Sequence, residues 1–132
     1  MQDHPTVAQL LDAVRRYLEE EIVPNTDGRR QFLARVSANT LQIVLRELEA
    51  EEEHLEREWA GLERLLGPMA RPATRAELRA ALRARNEELC RRIRAGEADG
   101  GEWSRRVWEH VRTVVRDKIS VTNPGFLAPA SP

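Results

Sequence analysis

Glu51-Glu52-Glu53-His54 is the densest run of metal-type donors in the chain. Glu51 and His54 stand at i and i+3, the spacing of a helical Glu-x-x-His motif in di-iron carboxylate proteins. Such a centre needs a second copy of the motif and two further glutamates facing inward. The sequence offers one copy, inside an acidic run, so a solvated acidic face is the better reading. His4 lies in the N-terminal arm and His110 beside Glu109. No H-x-x-x-H or related spacing links the three histidines, so zinc is not expected. No cofactor is expected either.

Cys90 is the single thiol. It lies between Leu89 and Arg91-Arg92, and neighbouring arginines lower a thiol pKa. A nucleophile also needs a general base and an oxyanion device, and neither is recognisable nearby. A small, partly buried packing residue is the expectation. One cysteine makes no intramolecular disulfide, and its spacing is not that of a metal site.

Asn39 is the polar residue that interrupts an apolar row, between Val36 and Ile43. A buried amide without partners costs about 1–3 kcal/mol, so Asn39 is expected to bond backbone and fix how helices assemble. The other reading points it into a ligand pocket with Arg35 and Glu47.

Charge is distributed unevenly along the chain. Residues 47–64 hold eight acids against two arginines, and residues 71–95 hold eight arginines against three acids. Net charges of −6 and +5 invite two readings. The basic segment alone would suit nucleic acid, but it lacks aromatic residues and adjoins an acidic segment of similar strength. The two segments are therefore expected to lie side by side or to meet across a dimer. Exposed pairs contribute only about 0–1 kcal/mol each, so their use is register and partner choice. The overall charge of −1 gives no ground for nucleic acid or anionic membrane as a partner.

The elements that position these residues are helices. Thr6 and Gln9 form a capping box ahead of a helix over residues 7–23. There Val7, Leu10, Leu11, Val14, Leu18 and Ile22 recur on one face, and Pro24 ends it. A second helix spans 29–50 with two adjoining apolar rows, Phe32, Val36, Ile43 and Leu33, Leu41, Val44, Leu48. So wide a stripe predicts a central helix with several neighbours. Residues 51–66 are helical again, with Leu55, Trp59, Leu62 and Leu66 on one face. No breaker decides between one long helix and two. The segment 67–72, Gly-Pro-Met-Ala-Arg-Pro, is a linker. Thr74 and Glu77 cap the next helix, whose inner face is Leu78, Ala81, Leu82, Leu89 and Ile93, with Gly96 as its C-terminal cap. The last helix covers about 102–121.

The expected fold is thus all-α. It is a single domain over residues 1–132, an up-and-down bundle of four to five helices with antiparallel neighbours. The tail over 123–132 is expected to be irregular, with Phe126 and Leu127 docking on the bundle. A chain of 132 residues is long enough for one core without disulfide or metal staples. Apolar runs fall short of the about 20 residues that span a bilayer, and the first apolar residues are broken by Asp12, Arg15 and Arg16. A cytoplasmic protein is expected, with no membrane partner.

Four stretches in order resemble a bacterial family of short helical proteins known as a domain of unknown function. They are HPTVAQLLDAVRRYLEEEI, FLARVSANTLQIVLRELE, RNEELCRRIRAGE and VRDKISVTNPGFL. Members are often encoded beside acyl-CoA dehydrogenases and kinases similar to aminoglycoside phosphotransferases. The resemblance runs from His4 to Leu127 and is least over 51–72. It implies a role linked to acyl-CoA or small-molecule metabolism, and supplies no catalytic residues. Its family-like positions are Arg35, Val36, Asn39, Asp117, Lys118, Asn123 and Pro124. Of these, Arg35, Asn39, Asp117, Lys118, Asn123 and Pro124, together with Glu47 and Phe126, are the candidates for a structural or partner-binding surface. The expected function is a non-enzymatic interaction module that binds itself, as a homo-oligomer, or a dehydrogenase or phosphotransferase-like enzyme. A small acyl or CoA-like ligand, or an unrecognised enzyme, is the alternative.

Overall fold

Helical periodicity becomes helix throughout the computed structural model, which describes residues 3–127. The described residues contain α1 (Val7–Tyr17), a π turn (Leu18–Ile22), α2 (Gly28–Leu66), α3 (Arg75–Arg94), α4 (Gly101–Thr122) and a 3-10 turn (Pro124–Leu127). They contain no strand. The chain divides into two compact units, Met1–Ala50 and Glu51–Pro132. The choice left open by the sequence resolves as one uninterrupted helix, α2, of 39 residues.

In the first unit, the capping box at Thr6 forms as expected. The Gln9 N–H donates to Thr6 Oγ1 at 3.2 Å, and the Thr6 N–H donates to Gln9 Oε1 at 2.8 Å. Regular α-helix stops at Tyr17, and one π turn follows, closed by the Val23 N–H on Leu18 O at 2.9 Å. Helix ends leave carbonyls without intrahelical donors. Thr26 Oγ1 and Asn25 Nδ2 donate to two of them, Ile22 O and Glu21 O, at 2.6 and 2.7 Å. Gln31 Nε2 bonds Val23 O and Thr26 O, both at 3.0 Å, and ties the turn to the start of α2.

The buried row of α2 in this unit is not the row of large residues. Ala34 and Ala38 are buried, one turn apart, while Phe32, Leu33, Val36, Val44 and Leu48 stay exposed. The expectation of a central helix that packs both large rows is corrected here. The alanine row takes the buried side of α2 in this unit. Of the wide apolar stripe, Leu41 and Ile43 are half-buried and the other residues face outward.

The second unit carries the hydrophobic core. Trp59, Leu62 and Leu65 of α2 meet Leu78, Leu82 and Leu89 of α3 and Val107 of α4. Leu62 is fully buried. Burying such a leucine contributes about 1.5–3 kcal/mol. Thr74 and Glu77 form the second capping box, with Glu77 N–H to Thr74 Oγ1 at 3.2 Å and Thr74 N–H to Glu77 Oε2 at 3.0 Å. At the other end of α3, the Gly96 N–H reaches Ile93 O and the Glu97 N–H reaches Arg92 O. This is the Schellman pattern, and Gly96 takes the left-handed φ of +85° that it requires.

Directions within this core differ in one respect from antiparallel neighbours throughout. α2 and α4 do run antiparallel: Arg106 donates to Arg64 O, and Arg57 reaches Asp117. α3 runs parallel to α2 instead. Its start, Arg75 and Arg79, pairs with Glu51, and its middle, Asn86, bonds Glu58. The linker over 67–74 makes this possible. Returning from the end of α2 to the level of Glu51 takes roughly 22 Å at 1.5 Å per helical residue. Eight extended residues reach about 26 Å, and Pro68 and Pro72 favour extended backbone. Arg71, midway along the linker, pairs with Glu56 as it passes.

At the C-terminal end, Asn123 closes α4 with its N–H on Ile119 O at 2.8 Å, and its own carbonyl accepts from Phe126 N–H at 3.0 Å. The expected irregular tail thus begins with a 3-10 turn, and residues 128–132 lie outside the described residues. Phe126 is exposed rather than docked, while Leu127 is half-buried.

Candidate functional site

The acidic and basic segments do lie side by side, within the second unit. Glu51 is buried and its carboxylate is held by Arg75 at 3.4 Å and by Arg79. Glu52 reaches Arg75 at 4.0 Å. The reading of 51–54 as a wholly solvated face is corrected for Glu51, because parallel packing of α3 brings two guanidinium groups to it. Its metal-binding alternative gains no support: among the described residues no group of three or more His, Cys, Asp or Glu is placed to hold an ion. His54 Nε2 lies 3.8 Å from Asp117 Oδ1, which also accepts from Arg57 Nη1 at 2.5 Å. Asp117 therefore braces α4 against α2.

Arg85, one of the eight arginines of the basic segment, is buried at 3 % exposure. Its Nη2 donates to Leu62 O at 3.1 Å and Gly67 O at 2.6 Å, and its guanidinium sits 5.4 Å from the Trp59 ring. Trp103 Nε1 donates to Leu65 O at 3.3 Å, and Arg106 donates to Arg64 O. The C-terminal carbonyls of α2 are thus capped by side chains of α3 and α4. Cations there also complement the helix dipole. Arg92 stacks 4.6 Å from the Trp103 ring and pairs with Glu97 at 2.7 Å.

Cys90 is exposed on α3, which corrects the expectation of partial burial. Lys118 is exposed and edges a recess of about 390 Å³ with Arg79, Arg83, Glu58 and Asn86. Asn123 and Pro124 shape the end of α4 and the turn after it.

His110 was not visible as special in the sequence. It is buried on α4 against Gly61 of α2, and lines a recess of about 290 Å³ with Arg57, Arg64, Arg106 and Thr113. A Cβ at position 61 would stand 2.2 Å from His110 Nδ1. Burial lowers the imidazole pKa below its usual 6.5; Glu58 opposes the shift, and Arg64 adds to it. The signal that finds this contact is Gly61 itself, a glycine in a helical pattern with no cap to explain it.

The largest unexplained feature belongs to the first unit. Four apolar residues of α1 (Val7, Leu10, Val14, Tyr17) and five of α2 (Phe32, Leu33, Val36, Val44, Leu48) are each 40–65 % exposed. On α1 the four fall within about 80° of one another at 100° per residue. Arg35, Asn39 and Glu47 share this part of α2 and are exposed too. Asn39 is therefore not the buried amide expected, because the row it interrupts is itself exposed. Among the described residues, none of Arg29, Arg30, Arg35 or Glu47 has an ion-pair partner.

No helix among the described residues is long and apolar enough to cross a membrane. No curated protein and no solved structure matches the chain. A family model matches residues 24–126, from the turn before α2 to the turn after α4, and carries the description Domain of unknown function (DUF6285). That span covers well over half of the 132 residues, so the chain belongs to the DUF6285 family.

Proposed function

We propose that the protein is a non-enzymatic helical interaction module, whose first unit works with its apolar face covered by another protein surface. The observation that supports this reading is the set of nine large apolar side chains left exposed on α1 and the first half of α2. Monomeric proteins rarely expose contiguous apolar patches beyond a few hundred Å². The five on α2, at roughly half exposure, amount to about 450 Å², within the size range of patches that mark interaction sites.

A link to acyl-CoA or other small-molecule metabolism belongs to the same reading. It rests on the resemblance to a bacterial family encoded beside acyl-CoA dehydrogenases and phosphotransferase-like kinases. Cytoplasmic location is part of it. The test is sedimentation velocity of the purified chain alone, then with each enzyme encoded next to its gene. The reading expects a complex with at least one of three species: a second copy, the dehydrogenase or the kinase-like protein. A chain that sediments as a monomer in all three experiments sinks it.

A further inference from the structure

We infer that the surface covering this face is a second copy of the same chain, docked antiparallel along residues 29–47 of α2. The inference rests on the interaction-module reading and names its partner. Three features of α2 carry it: where the apolar rows lie, where the unpaired charges lie, and how the two alternate.

At 100° per residue, Phe32, Val36 and Ile43 fall within about 40° of one another, with Leu33 and Val44 beside them. Arg29 and Glu47 are eighteen residues apart, which is about five full turns, so they occupy one row within that face, between the rows of Val36 and Leu33. Neither has an ion-pair partner among the described residues. The face therefore reads basic, apolar, acidic from its start to its end. A surface of this kind complements itself when turned around by a two-fold axis, because an isologous interface presents the same patch on both sides. With the axis at the level of Ala38, Arg29 faces Glu47 of the partner subunit. Phe32 then meets Val44 of the partner subunit, and Val36 meets Thr40 of the partner subunit. A parallel arrangement would set Arg29 against Arg29 of the partner subunit, and Glu47 against Glu47 of the partner subunit, which like charges disfavour.

Asn39 finds a use in this arrangement. It lies on the seam between Val36 and Ile43, about one residue from the axis level, where the two copies of the amide approach each other. A polar residue at one seam position fixes register and partner number in helical pairs. This gives the interrupting residue a reason that neither a buried bond to its own chain nor a ligand pocket supplied.

Charge exchange separates the inference from its alternatives. Sedimentation equilibrium is run on the full chain, on Arg29→Glu, on Glu47→Arg, and on the variant with both. Each single reversal breaks two symmetric pairs and is expected to raise the dimer Kd about tenfold. The doubly reversed chain is expected to recover most of that loss, because each pair is restored with its signs exchanged. Circular dichroism confirms that all four remain helical; the positions are exposed, so folding is not at risk. A dimer whose affinity ignores both reversals, or is not rescued by the exchange, overturns the antiparallel register. A monomer at about 100 μM overturns the self-association itself. If that monomer still binds the dehydrogenase or the kinase-like protein, the module reading survives while this inference fails.

Discussion

At the scale of the residue, Gly61 and His110 form the tightest constraint in the second unit. A methyl group at position 61 would overlap the imidazole ring, with its Cβ 2.2 Å from Nδ1 and 2.7 Å from Cε1. Alanine gains about 1 kcal/mol of helix propensity over glycine, but overpacking costs about 1–3 kcal/mol. The ring must move bodily, so the clash wins. Gly61→Ala is expected to destabilise by about 1–2 kcal/mol in urea unfolding, and His110→Ala in the same chain to relieve part of that loss, a coupling expected of touching residues. His110 also predicts the pH response. Its folded pKa is below the unfolded value of 6.5, chiefly through burial. The unfolded chain thus binds the proton more readily, and stability falls as pH drops through 6.5 toward the depressed folded value. Urea midpoints between pH 7.5 and 5 should fall in the native chain and fall less steeply in His110→Gln. Equal slopes would show that the imidazole is not held neutral. Of this pair, the glycine was legible in the sequence and its partner was not, because periodicity says that a residue is enclosed without saying by what.

At the scale of the element, helix starts were the most legible part of the chain. T-x-x-Q and T-x-x-E satisfy free N–H groups through side chains three residues apart, so local sequence alone decides them. Thr74→Ala is expected to cost about 1 kcal/mol, readable as a lower denaturation midpoint. Helix directions were far less legible. A linker reads as a linker whether the chain turns back at once or travels the length of a helix first, and only the proline-rich composition of 67–72 hints at extension. The parallel run of α3 follows, and with it the burial of Arg85 beneath the end of α2. Arg85 falls on the same helical row as Leu78, Leu82 and Leu89, which identifies it as inward-facing. Arg85→Met keeps an apolar stem but leaves Leu62 O and Gly67 O without their donor. Leu62 O keeps its helical partner, so the unsatisfied acceptor is Gly67 O, which costs about 1–3 kcal/mol, offset in part because a buried charge is no longer desolvated. A net loss of about 1–2 kcal/mol is expected, and Arg85→Lys should recover part of it, because a single nitrogen serves both carbonyls here and an ammonium carries three donors.

At the scale of the whole molecule, apolar periodicity announced that α1 and the first half of α2 need a neighbour. It could not say whether that neighbour belongs to the same chain. The stripe of Phe32, Val36 and Ile43 looks the same in sequence whether it meets another helix of its own chain or a helix of a second copy. Phe32 and Val36 are exposed and Ile43 is half-buried, and the proposed second copy rests on the arrangement of Arg29, Asn39 and Glu47 along the face. The proposed dimer doubles the mass of the particle in solution. Light scattering on the unmodified chain at about 50 μM should give twice the 15.1 kDa of one chain, shifting toward 15.1 kDa when Val36→Asp places a charge in the middle of the face. A native chain that scatters as 15.1 kDa at that concentration is a monomer, and the proposed dimer does not exist.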